Sequence, residues 1–80
     1  MGEQISAVIS SLNEIHSDST VPRNVRVRIE SIVYTLRGEV ELSTKVNKSL
    51  NELDEIASDV NLQSYTRTQV WNVISLLEKL

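Results

Sequence analysis

The chain contains no cysteine, and this absence excludes a disulfide framework, a thiolate metal site and a cysteine nucleophile. Phenylalanine is also absent, so a hydrophobic core must be built from leucine, isoleucine and valine. No apolar run approaches the roughly 20 residues of a membrane span, and no basic segment followed by an apolar one indicates a signal peptide. With a net charge of -3, the chain has no global attraction to nucleic acid or to an anionic membrane. We therefore expect a cytoplasmic protein that binds no membrane.

The chain has only one proline and two glycines, and two of these three residues mark expected helix boundaries. Pro22 suits the first turn of a helix, where its missing N–H is not needed, and Gly38 is typical of the position just past a helix end. Elsewhere the apolar residues recur every three or four positions, which is the spacing of one helix face. The pattern predicts an all-α fold in one domain, residues 1–80, with four helices over about 3–17, 21–37, 40–58 and 63–79.

The segment 12–36 recurs in weaker form as the segment 53–77, at a constant offset of 41 residues and without a gap. Helical-hairpin repeats of the HEAT and armadillo type have periods of roughly 40–47 residues. The chain therefore reads as two helix-turn-helix hairpins, although two amphipathic helices can also converge on one pattern. Two hairpins can stack as a short solenoid or close into a four-helix bundle, and we expect the bundle because closure hides more apolar surface.

Each copy of the repeat has an aspartate before a helix and an arginine eight positions later, namely Asp18 with Arg26 and Asp59 with Arg67. An arginine can donate two parallel hydrogen bonds to one carboxylate. We interpret the two pairs as clamps that hold each interhelical turn in place. The alternative is that one of the arginines binds an anionic ligand.

The residues capable of catalysis or metal binding are few. His16 is the only histidine, and no nucleophile or orienting carboxylate shares its helical face, so we interpret it as a half-buried residue near a helix C-terminus. The acidic cluster Glu52, Asp54 and Glu55 is typical of a solvated helix face rather than of a cation site. The chain has no phosphate-binding loop and no nucleophile elbow. We predict no enzyme activity, no cofactor, no metal and no small-molecule substrate.

A second face of the second predicted helix carries Arg23, Val27, Glu30, Tyr34 and Arg37, which follow one another at steps of four, three, four and three positions. Tryptophan, tyrosine and arginine are enriched at binding hot spots. In the second copy of the repeat, a tryptophan stands where the first copy has Glu30. We predict an interface formed by Arg23, Val27, Tyr34, Arg37 and Trp71. The alternative is that both aromatic side chains pack inside the domain.

These features favour a non-catalytic protein-interaction module, whose partner is another protein or a second copy of the chain. A nucleic-acid-associated protein is the second candidate, because the only sizeable basic concentration of the sequence is Arg23, Arg26, Arg28 and Arg37. Such a protein would use Arg23, Arg28 and Arg37. The acidic net charge and the lack of clustered lysines argue against it. Nucleic-acid binding should weaken steeply with salt, whereas binding through an apolar surface should not.

Two segments resemble the hallmarks of a small uncharacterised archaeal family, uncharacterised protein family zero-one-four-seven. The segment 20–26, Thr-Val-Pro-Arg-Asn-Val-Arg, resembles the first hallmark. The second hallmark is similar to Leu53-Asp-Glu-Ile56 with Ser58, Asp59 and Asn61, followed by Thr66-Arg-Thr68, Trp71 and Ser75-x-Leu77-Glu78. The resemblance implies a compact four-helix bundle and an archaeal, cytoplasmic source, and it implies no activity.

Overall fold

The computed structural model describes residues 2–80, and this part of the chain forms four helices and no strand. The helices are α1 (Gly2–His16), α2 (Arg23–Arg37), α3 (Leu42–Ala57) and α4 (Ser64–Glu78). The prediction of an all-α fold with four helices is confirmed. Helices α2 and α3 begin two residues later than expected, because Pro22 and Glu41 each adopt an extended conformation just before the first helical turn. Within residues 2–80, none of the helices combines the length and the apolar character needed to cross a membrane.

The four helices pack in a closed ring. Helix α1 contacts α2 and α4, and helix α3 contacts the same two neighbours. In the part of the chain that the structure describes, no Cα atom of α1 lies within 8 Å of one in α3, and the same holds for α2 and α4, so these pairs lie diagonally opposite. The contact of α1 with α4 closes the ring around a core that runs along the 32 Å length of the molecule.

The core lies where the apolar faces of the four helices meet, and two residues of the interhelical turns, Val21 and Leu62, add to it at one end. Its largest fully buried side chains are leucine, isoleucine and valine, as the lack of phenylalanine requires. They are Val8, Leu12, Ile15, Val25, Ile29, Ile32, Leu36, Leu53, Ile56, Val70, Val73 and Leu77.

The end of α2 is stabilised by a lysine rather than by a left-handed glycine. Gly38 has φ -69° and ψ 168°, which is extended backbone that any residue adopts, so the expected glycine conformation is not used. Instead, the ammonium of Lys45 donates hydrogen bonds to the carbonyl oxygens of Leu36 (3.1 Å) and Gly38 (3.2 Å). A cation at this position supplies donors to carbonyls that have no intrahelical partner and interacts favourably with the helix dipole.

We expect Lys45→Met to lower the free energy of unfolding by about 1–2 kcal/mol, because methionine keeps the apolar stem but cannot donate to the two carbonyls. Lys48→Met is the matched control, since Lys48 is an exposed lysine on the same helix. Its effect should stay within about 0.5 kcal/mol. Urea denaturation followed by circular dichroism measures both, and equal effects of the two substitutions would argue against the cap.

Candidate functional site

The outer face of α2 consists of Arg23, Val27, Glu30, Tyr34 and Arg37, all of which are exposed to solvent. Tyr34 is 82% exposed and Val27 is 53% exposed, while the buried residues of α2 lie on the opposite side of the helix. The two apolar side chains are seven residues apart and therefore share one face, two turns from each other. The alternative in which Tyr34 packs inside the domain is wrong.

A groove with a volume of about 640 Å³ lies beside Tyr34. It runs between α2 and α3, and we call it the α2–α3 groove. Its apolar walls come from Tyr34 and the exposed Val40, and its cationic rim comes from Arg37, Lys45 and Lys48. This combination can receive an apolar side chain that lies next to a carboxylate.

Where the outer face of α2 borders α1, the Nε2 atom of His16 lies 2.6 Å from Oε2 of Glu30. This pair joins the end of α1 to the middle of α2. Sequence reasoning missed Glu30 as the partner, because no local spacing connects two residues that are 14 positions apart on different helices. Both side chains are partly exposed, and a polar contact as exposed as this one contributes little to stability.

The His16–Glu30 pair borders a second groove, of about 370 Å³, which we call the α1–α2 groove. Its other lining residues are Arg23, Arg26 and Val27. None of the lining residues carries a hydroxyl or thiol nucleophile, so the histidine has no group in the groove to activate. The cationic side chains make the groove suited to an anion.

Trp71 is 56% exposed, but it does not share a surface with the outer face of α2. It lies on α4, which is diagonally opposite to α2 in the ring. The five residues predicted as one interface therefore divide into four residues on α2 and one on another face. Trp71 lies 41 residues after Glu30, and since α2 and α4 are diagonally opposite, the two positions lie on separate faces of the ring.

The two predicted turn aspartates bond to their own turns. Oδ1 of Asp18 accepts hydrogen bonds from the backbone N–H of Thr20 (2.9 Å) and from its hydroxyl (2.7 Å). These two bonds hold the pKa of the Asp18 carboxyl below its ordinary value, the backbone bond having the larger effect. In the second turn, Oδ1 of Asp59 accepts from the backbone N–H of Asn61 (2.9 Å). Both aspartates thus form the local turn in which a side chain bonds the backbone two residues on.

The arginines of the predicted clamps differ from each other. Arg67 donates from Nε to the carbonyl oxygen of Ala57 (2.9 Å) and from Nη2 to that of Asp59 (2.8 Å). Nε of Arg26, in contrast, is buried and has no hydrogen-bond partner. The expected pairing of each arginine with an aspartate carboxylate is thereby corrected: the carboxylates are already occupied by backbone N–H groups, and the carbonyls at the end of α3 need donors. The ion pairs within residues 2–80 involve neither Arg26 nor Arg67.

The remaining charged candidates are also placed by the structure. Nη2 of Arg28 lies 2.9 Å from Oε2 of Glu55, an ion pair between α2 and α3. Arg28 is therefore separate from the exposed Arg23 and Arg37, and Glu55 of the acidic cluster already has a cationic partner. Within residues 2–80, histidine, aspartate and glutamate side chains form no group of three that could hold a metal ion.

Comparison with known proteins identifies relatives over nearly the whole chain. A family model described as an uncharacterised protein family, UPF0147, matches residues 1–80. A UPF0147 protein of Methanosarcina acetivorans is 40% identical over 77 residues, which is 95% of this chain and 79% of that protein. A UPF0147 protein of Methanocaldococcus jannaschii is 37% identical over 78 residues, which is 96% of this chain and 84% of that protein. The crystal structure of a UPF0147 protein from Thermoplasma acidophilum matches with a TM-score of 0.93 at 35% identity, covering 99% of this chain and 94% of that chain.

Proposed function

Because this chain belongs to the uncharacterised protein family UPF0147, whose name supplies no activity, we propose from its surface that it is a non-catalytic protein-interaction module. The binding face is the outer face of α2. The observation that supports this proposal is the exposure of Tyr34 and Val27 between two exposed arginines. Tyrosine and arginine are the residue types that most often supply binding energy at protein interfaces, and a tyrosine exposed this fully contributes little to the fold.

The first partner to test is a second copy of the chain. We expect the unmodified protein to associate as its concentration rises, and we expect Tyr34→Glu to abolish this association, because a carboxylate cannot be desolvated at an apolar contact without a large cost. Since Tyr34 is exposed, the same substitution should change the free energy of unfolding by no more than about 0.5 kcal/mol. Sedimentation velocity over a range of concentrations measures the association, and thermal denaturation measures the stability.

Tyr65→Glu is the matched control, since Tyr65 is also an exposed tyrosine but lies on α4, away from α2. It should leave the association unchanged. Self-association through α2 is refuted if the unmodified protein stays monomeric at every concentration, or if both tyrosine variants lose association equally.

A different protein as partner is tested by affinity purification at low salt, with half of each sample treated with nuclease. The unmodified chain, Tyr34→Glu and Tyr65→Glu serve as the three baits. We expect a bound protein that survives nuclease, is lost from the Tyr34→Glu bait and is retained by the Tyr65→Glu bait. If a protein binds the Tyr34→Glu bait as well as it binds the unmodified chain, its interface lies outside the outer face of α2.

Nucleic-acid binding is the second candidate, and one observation favours it. Six of the eight lysine and arginine residues of the chain lie between positions 23 and 48, on α2 and the first half of α3. If the bound material of the affinity purification vanishes with nuclease, and if binding falls steeply as salt rises, the exposed Arg23 and Arg37 become the site and the leading proposal is wrong.

We also infer that the two hairpins derive from one duplicated unit, as in HEAT-like repeats. The two turns support this inference, because their backbone bonds correspond at an offset of 41 residues. The N–H of Val21 donates to the carbonyl of Asp18, and the N–H of Leu62 donates to the carbonyl of Asp59, both at 3.1 Å. The carboxylate bonds of the two aspartates correspond in the same way, both at 2.9 Å.

A further inference from the structure

Arg26 and Arg67 occupy positions 41 residues apart, yet only one of them has a structural role that the geometry explains. Arg67 uses Nε and Nη2 to bind two carbonyl oxygens at the end of α3. Nε of Arg26 is buried and has no acceptor within the described chain. A buried donor of a charged group that lacks an acceptor is unfavourable, because it has given up water without replacing it. The arrangement at Arg26 is therefore that of a donor without its acceptor.

Although its Nε is buried, Arg26 as a whole is only partly buried and borders a groove. Arg26 lines the α1–α2 groove together with the exposed Arg23, and neither arginine belongs to an ion pair within residues 2–80. The carboxylate in the groove is that of Glu30, and its Oε2 lies 2.6 Å from Nε2 of His16, within hydrogen-bond distance. Two arginine residues thus line a groove of about 370 Å³.

The start of α2 adds to the positive potential at this place. The residue before the helix is Pro22, which provides no side-chain cap, and the first turn contains no acidic residue. The free N–H groups of the first turn therefore keep the positive end of the helix dipole uncompensated beside Arg23. This contribution strengthens a site that the two arginines define.

We propose that the α1–α2 groove binds a phosphate group, held by the guanidinium groups of Arg26 and Arg23. Guanidinium groups present their N–H donors in a planar fork that matches two oxygens of one phosphate. Val27 provides an apolar wall, so the groove has room for a small organic group attached to the phosphate. This site goes beyond the proposed protein-binding face, because its ligand is a small anion and its binding needs no protein partner.

The test is a titration of the isotopically labelled protein with inorganic phosphate, followed by amide chemical shifts at constant ionic strength. We expect saturable shifts in residues around the α1–α2 groove. Arg26→Gln should weaken phosphate binding by about ten-fold or more, since it removes a charged donor. Arg28→Gln is the matched control on the same helix, because Arg28 is paired with Glu55 and does not line the groove. It should change the affinity by less than about two-fold.

Arg23→Gln keeps the proposal testable if Arg26→Gln does not fold, because Arg23 is exposed at the start of α2. A parallel titration with glycerol phosphate compares the affinity for a phosphate monoester with that for inorganic phosphate. A titration with acetate compares both affinities with that for a carboxylate. Tighter binding of the monoester would identify a small phosphorylated molecule as the ligand, and tighter binding of inorganic phosphate would identify the free ion. The proposal is overturned if the shifts do not saturate, if acetate binds as well as phosphate, or if Arg28→Gln weakens binding as much as the groove variants do.

Discussion

Replacing Leu53 by alanine is expected to lower the free energy of unfolding by about 2–5 kcal/mol, the largest effect of any single truncation proposed for this protein. The Leu53 side chain lies on α3, is fully buried, and belongs to the common core of the four helices. Its truncation removes apolar surface from a tightly packed interior and leaves a cavity that the backbone of a helix cannot close. A domain of this size has few kilocalories of stability in reserve, so we expect much of the variant to be unfolded at moderate urea concentrations.

Leu50→Ala provides the comparison for Leu53→Ala on the same helix, because Leu50 is only partly buried and packs at the edge of the core. Its cost should be clearly smaller, about 1 kcal/mol, since less apolar surface is removed from a buried site. Equilibrium urea unfolding followed by circular dichroism measures both variants. Equal costs at the two positions would show that the core does not lie where the four helix faces meet.

The second large effect is expected for Arg67→Met, which should cost about 2–3 kcal/mol. Methionine keeps the apolar stem of the side chain, so the loss reports on the two hydrogen bonds from the guanidinium to the carbonyl oxygens of Ala57 and Asp59. Both carbonyls lie where α3 ends and the chain turns towards α4. Without Arg67 the two carbonyl oxygens lose their charged donor, and no side-chain hydrogen bond from position 67 holds the turn against α4.

Arg26→Met is the matched substitution on α2, and it should cost at least about 1 kcal/mol less than Arg67→Met, because Nε of Arg26 has no partner to lose. The comparison uses thermal and urea denaturation of the two variants under one set of conditions. If both substitutions cost the same, the two arginines act as equivalent clamps and the difference drawn between the two turns is wrong.

The apolar periodicity was sufficient to predict the helices and the core, because burial depends on which face of a helix a residue occupies. Leu12, Ile29 and Val73 are apolar residues at this spacing, and all three are fully buried. The family resemblance of the segment 20–26 is also confirmed, since the family model matches the whole chain. Both predictions follow from the positions of residues along the chain and do not depend on how the helices pack.

The candidate site could be predicted only in part, because its geometry depends on how the helices are arranged around the ring. The outer face of α2 follows from spacing along one helix, whereas the separation of Trp71 from Tyr34 follows from the diagonal placement of α2 and α4. The contact between His16 and Glu30 joins two helices and leaves no periodic signal. The partners of Arg67 are backbone carbonyls, which every residue has, so the sequence does not distinguish them from a nearby carboxylate.

The closure of the ring by α1 and α4 has a consequence for the order of events in folding. The contacts of α1 with α2 and of α3 with α4 join segments that are close along the chain. The contacts of α1 with α4 join its first and last helices. Bringing distant segments together costs more chain entropy, and this cost grows slowly with the length of the intervening loop. Local hairpin contacts therefore form at less entropic cost than the docking of α1 on α4. Until that docking occurs, the parts of α1 and α4 that face each other remain open to water, so we expect the ring to become a single cooperative unit only once its two ends have docked.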